Sequence, residues 1–171
     1  MIFAALYMAR KSYLILMLIF FVCFCPDYGF SEEYSTWKTF EPDKCGSAWL
    51  LKRFVVKEAI FNFFPKGEQI ASGIPFDTPE AELRRYHNMS AFESILRKYK
   101  LNDPVLMEMG KIFHDIEINS WGIKVKKESR VLESSIRKIV TDYSEPNDIL
   151  IKSFEYFDIL YKELKRSCNE K

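Results

Sequence analysis

Two histidines, His87 and His114, limit where imidazole chemistry can sit in this chain. His114-Asp-Ile-Glu117 sets an imidazole and a carboxylate about one helical turn apart, a spacing at which two side chains can grip one metal ion. Glu93 follows His87 in Tyr-His-Asn-Met-Ser-Ala-Phe-Glu. If folding gathers His87, Glu93, His114 and Glu117, two imidazoles and two carboxylates suit a divalent transition metal: zinc, iron or manganese. Pattern alone leans the other way, toward two surface histidines among ordinary helix acids.

A second constellation runs from Asp43 to Phe54, Asp-Lys-Cys-Gly-Ser-Ala-Trp-Leu-Leu-Lys-Arg-Phe. Gly46 and Ser47 read as a loop end and a helix cap, because a Ser hydroxyl accepts from first-turn amides. The helix that follows turns Leu50, Leu51, Phe54 and Val55 to a core and leaves Trp49, Lys52, Arg53 and Val56 on the next face. Asp43 and Lys44 then lie on a loop facing a positively polarised helix start. Lys44, Ser47, Lys52 and Arg53 so arranged suit an oxyanion or a carboxylate. Spacing alone fits a capped amphipathic helix with a solvated cationic face better. A cation four residues after a ring, as Arg53 is after Trp49, can also stack into a non-catalytic face for a small anion or a partner protein. His-Glu-x-x-His, Gly-x-Ser-x-Gly and glycine-rich phosphate loops do not occur. Their absence argues against zinc proteases, serine hydrolases and any nucleotide cofactor.

The elements that must carry these residues follow from composition and periodicity. A chain of 171 residues, 48% hydrophobic, suffices for one domain with a sizeable core. With 25 basic against 24 acidic side chains there is too little basic excess for a nucleic-acid partner. Arg10 and Lys11 precede an apolar run over 13–24, the length of a signal-peptide core and short for a membrane span of ~20 residues. Gly29-Phe-Ser31 offers small residues before a cut. Residues 1–31 are therefore expected to be a signal helix, removed to leave a periplasmic domain over 32–171 with no stable membrane span. The alternative is an uncleaved anchor that also uses the apolar segment 1–8. Export leaves Cys45 and Cys168, which either pair in an oxidising compartment or stay separate thiols.

Residues 32–42 read as an extended arm. Residues 59–64 read as a short aromatic strand, 68–74 as a second strand, and 75–79 as the loop that ends it. Helical signals begin at Thr78-Pro79 and continue with the capping box Ser90-Ala-Phe-Glu93. Asp103-Pro104 opens a helix with Val105, Met109, Ile112 and Ile116 on one stripe; Val131, Leu132, Ser135, Ile136 and Ile139 mark another. Pro146 opens the last, with Leu150, Phe154, Phe157, Tyr161 and Leu164 on its buried side. The expected fold is α+β, a helix-rich single domain with a small two- or three-stranded sheet.

Taken together, residues 43–54, Ile74-Pro-Phe-Asp77, His87 with Phe92-Glu93, and Ile112-Phe-His-Asp-Ile-Glu117 resemble the C-terminal domain of the ChrB chromate-resistance family, in a stand-alone exported form. Trp49-Leu-Leu-Lys-Arg-Phe54 is similar to that family's Trp-Leu-Ile-Arg-Arg-Phe. Glu117 stands where the family usually has Asp, and Cys45 where it commonly has an aliphatic residue. The resemblance implies a role in lowering chromate burden or tolerating it. With it come an expected metal set of His87, Glu93, His114 and Glu117 and a small oxyanion that is reduced or sequestered. Asp43, Trp49, Asp77 and Asp115 are further candidate site residues within the matched motifs. The DNA-binding part of longer family members is not expected here.

Overall fold

The computed structural model describes residues 31–170 apart from Ser120 and Trp121. The signal expected over 1–31 lies, but for Ser31, outside the described residues. Three strands, β1 (Glu33–Trp37), β2 (Ile60–Phe64) and β3 (Ile74–Pro75), pair in the order β2-β1-β3, both ladders parallel. The arm expected over 32–42 is thus the central strand of the sheet. Its buried residues Tyr34, Ser35 and Thr36 do not alternate apolar with polar, so a central parallel strand was hidden in a polar-looking stretch. The second strand expected over 68–74 contracts to Ile74–Pro75. Gly73 enters it with a φ of +75°, and Pro75 offers no N–H to extend the ladder.

Parallel strands need a crossover, and between β1 and β2 it is α1 (Pro42–Leu50) continued by a π-helical turn, Leu51–Val55. The helix begins at Pro42, with Glu41 as N-cap, and not at Ser47. Proline at the first position brings a preset φ and lacks only an N–H that would have gone unpaired there. Gly46 is accordingly no loop residue. A Cβ there would collide with the Phe113 ring, so the glycine lets α1 close on a neighbouring helix. All nine residues of α1 are buried.

Four further helices, α2 (Ala91–Lys98), α3 (Pro104–Glu117), α4 (Lys127–Asp142) and α5 (Pro146–Asn169), pack around α1. The core joins Trp49, Phe92, Phe113 and Phe157; Phe92 and Phe113 stack with centroids 4.5 Å apart. Ser90 and Glu93 form the expected capping box, and the Asp103 carboxylate accepts from the amides of Val105 and Leu106. On α5, Leu150 and Phe157 are buried, with Phe154, Tyr161 and Leu164 packed beside them. On α4 the buried stripe follows Leu132 and Ile136, while Val131 is exposed. No helix starts at Thr78. Asp77 adopts a left-handed φ of 47° and Ala81 N–H donates to the Thr78 carbonyl, so the chain turns there and runs irregularly to Met89. The fold is α+β as expected. Among the described residues no helix is long and apolar enough to cross a membrane.

Candidate functional site

In a parallel sheet the carboxyl ends of the strands, where they meet a helix amino end, form the usual binding crevice. Here β1 ends at Trp37, β3 runs into Asp77, and α1 starts at Pro42. Between them opens a polar cleft of about 350 Å³. Lys44 lies at its base, 3% exposed. Its Nζ donates to the Trp37 carbonyl (3.0 Å) and Thr39 Oγ1 (3.1 Å) and stands 3.5 Å from Asp77 Oδ2. Thr78, 5% exposed, also lines the cleft, and among the described residues its buried hydroxyl has no hydrogen-bond partner. Glu117 comes from the end of α3 and pairs with Arg85 at 2.8 Å. Arg84 and Lys66 complete a cationic rim; Arg84 Nη1 donates to the Pro79 carbonyl, and its guanidinium lies over the Tyr86 ring.

Asp43 also borders this cleft, yet its work is structural. Its carboxylate accepts from the amides of Ala91 (2.6 Å) and Phe92 (2.9 Å), capping α2 from another helix. Burial shapes the whole cluster. It pushes Asp43 up, and Asp77 and Glu117 push the same way against the two capping amides. Burial carries Asp77 to about 6 although Lys44 opposes it. It raises Glu117 against the pull of Arg85, and it lowers Lys44 despite Asp77. Asp43, Asp77 and Glu117 thus lean toward neutrality, and with Glu41 they line the cleft alongside four basic side chains, Lys44, Lys66, Arg84 and Arg85.

The anion set expected from spacing is not gathered. Lys44 alone lies in the cleft. Because the helix begins at Pro42, Ser47 falls in its middle, buried and without a hydrogen-bond partner. Lys52 and Arg53 fall at the far end, roughly 12 Å along the axis from Lys44 at 1.5 Å per residue. There Lys52 Nζ donates to the Ala59 carbonyl, and Arg53 grips Asp158 through Nε (3.1 Å) and Nη2 (2.8 Å). Trp49, 1% exposed, donates its indole N–H to the same Asp158. The Arg53 guanidinium lies over Phe154 and not over Trp49. These contacts fasten α5 to the crossover and leave no free Trp49/Arg53 face.

The four metal-ligand candidates also part. His114 Nδ1 stands 3.0 Å from Glu93 Oε2, which also accepts from the Ser90 amide. Glu117 is turned away by Arg85, and His87 is exposed in the turn between Tyr86 and Met89. Among the described residues no group of three or more His, Cys, Asp or Glu side chains is placed to hold a metal ion. Asp115 anchors the segment that leads into α4: it accepts from the amides of Val125 and Lys126 and from Asn119. Burial works to raise its pKa, but those donors together hold it well below the usual carboxylate range. Cys45 and Cys168 are unpaired, one buried and one exposed. Burial pushes the Cys45 thiol up to about 12.

Thr78, Arg84, Arg85 and Lys66 were not legible as site residues. They come from loops, and no periodicity links them to α1; the adjacent pair Arg84-Arg85 was the one visible signal. In comparison with known proteins, a model of the family described as ChrB, C-terminal domain matches residues 34–164. No curated protein and no solved structure matches the chain.

Proposed function

The chain belongs to the ChrB C-terminal domain family, related to chromate resistance, and from that premise we propose that it binds chromate or a similar tetrahedral oxyanion in the cleft at the start of α1. The observation that carries this reading is Thr78, which lines the same cleft as Lys44 and whose buried hydroxyl has no partner among the described residues. A buried polar group without a partner costs stability unless something satisfies it. An oxyanion accepts from such a hydroxyl, from the Lys44 ammonium and from the rim guanidinium groups. Glu41 also lines the cleft, and protonation of Asp77 and Glu117 removes two of the charges that would repel the anion, so capture strengthens as pH falls.

The reading is sequestration and not reduction, because the thiol nearest the cleft in sequence, Cys45, is buried with its pKa pushed up and supplies no accessible thiolate. Export to the periplasm is part of the proposal. It rests on the basic and apolar leader, and a cut before Glu32 leaves β1 entire. A second reading, a divalent transition metal held by Glu93 and His114, has the contact between those two side chains in its favour. Stoichiometric metal in protein from metal-replete growth, lost in His114→Ala, supports it; trace metal alone counts against it.

The oxyanion reading is tested by titrating the full chain with chromate. One equivalent should bind. Thr78→Val should weaken binding roughly tenfold or more, the size of one hydrogen bond to a charged group, while Arg53→Ala leaves it unchanged. Equal affinity in wild type and Thr78→Val would refute the site.

A further inference from the structure

A second hollow, of about 530 Å³, opens between α2 and α3 and shares no lining residue with the oxyanion cleft. Its walls are mainly apolar, with Leu96, Leu101 and the flexible thioethers of Met89 and Met107; Asn102 and Glu93 also line it, the Glu93 carboxylate being engaged by the Ser90 amide and His114. Gly110 also lines it and lets α3 pack closely on α2, since a Cβ there would press within 3.2 Å of Leu96. Its rim is basic, with Arg97, Lys100 and Lys111. Lys111 is held by Glu108 at 2.9 Å, whereas Arg97 and Lys100 meet no carboxylate among the described residues.

The way α2 ends gives this rim its meaning. Leu101 N–H donates to the Leu96 carbonyl (3.0 Å) and Lys100 N–H to that of Arg97 (3.4 Å), a Schellman turn whose hydrophobic pair, Leu96 and Leu101, is part of the hollow's wall. Lys100 occupies the left-handed position of that turn, with a φ of +54°. Glycine is the ordinary occupant there because a Cβ is strained. A lysine in glycine's place costs stability and sets an unpaired ammonium at the mouth of an apolar trough. Two helices line the trough with side chains and offer no strand edge to a peptide backbone. An alkyl chain needs none.

We propose that this groove binds a single-chain anionic amphiphile, a medium-length alkyl carboxylate, with its chain along Leu96, Leu101 and Met107 and its head group against Lys100 and Arg97. Calorimetric titration of the full chain with octanoate, decanoate and dodecanoate, each below micelle formation, should give one saturable site. Affinity should rise about three- to fourfold per added methylene. Lys100→Gly should weaken dodecanoate binding about tenfold while raising the melting temperature, because it removes the charge and the strain together. A residue with a purely structural role would leave binding unmoved. Met107→Glu, at a half-exposed position, should abolish binding and keep both the fold and chromate binding. The proposal is overturned by dodecanol binding as tightly as dodecanoate, by Lys100→Gly without effect on affinity, by binding to anionic vesicles alone, or by saturable binding of an acidic amphipathic peptide with none of dodecanoate.

Discussion

Lys44 and Asp77 form an ion pair in which burial outweighs attraction, so both partners lean toward their neutral forms. For Asp77, with a folded pKa of about 6, the native state keeps a proton that the unfolded chain gives up near pH ~4. This group's contribution is therefore most favourable below about pH 4 and declines as pH rises through 6. Asp77→Asn should flatten that slope and stabilise the protein at neutral pH by about 2 kcal/mol; asparagine also tolerates the left-handed backbone. Urea unfolding on either side of pH 6 checks it. The same variant should bind oxyanion more tightly at neutral pH and lose most of the pH dependence of binding. At this scale the sequence marked a stretch of which only a part reaches the cleft. Lys44 and Asp77 lie in the cleft, whereas Lys52 and Arg53, equally cationic on paper, are consumed by Ala59 and Asp158. Composition cannot reveal which cation already has a partner.

At the level of elements, carboxylates hold the helices in place from a distance. Asp43 caps α2 from α1, and Asp115 on α3 anchors the segment leading into α4. Asp43→Ala leaves two buried amides unpaired and should destabilise the fold by about 1–3 kcal/mol, although relief of a buried carboxyl reduces the loss. Gly46→Ala forces a methyl into the Phe113 ring and should cost at least about 1–3 kcal/mol by overpacking, read as a lower urea midpoint with an unchanged slope. Periodicity was legible where a helix has one wet face, as in α3 and α5, and capping residues marked their starts. It failed for α1, which is buried on every side and shows no amphipathic contrast to place its first turn. It failed again for β1, whose polar Ser35 and Thr36 are buried.

Across the described residues, α1 is the element on which the four other helices converge. Its far end, with buried Trp49 and, in the π-helical turn that follows, the exposed Arg53 both tied to Asp158, secures α5. Its amino end meets the carboxyl ends of β1 and β3 at the one place where Lys44, Thr78, Asp77 and Glu117 come together. The resemblance seen in residues 43–54 thus marks a scaffold as much as a site, since most of that motif builds the core and a small part of it reaches the cleft. The most direct check is a crystal of the full chain soaked in chromate and measured for anomalous scattering from chromium. A single strong peak within hydrogen-bonding distance of Thr78 Oγ1 and Lys44 Nζ is the predicted result. A peak beside Lys52 and Arg53, one between Glu93 and His114, or none in the cleft at saturating chromate would contradict it.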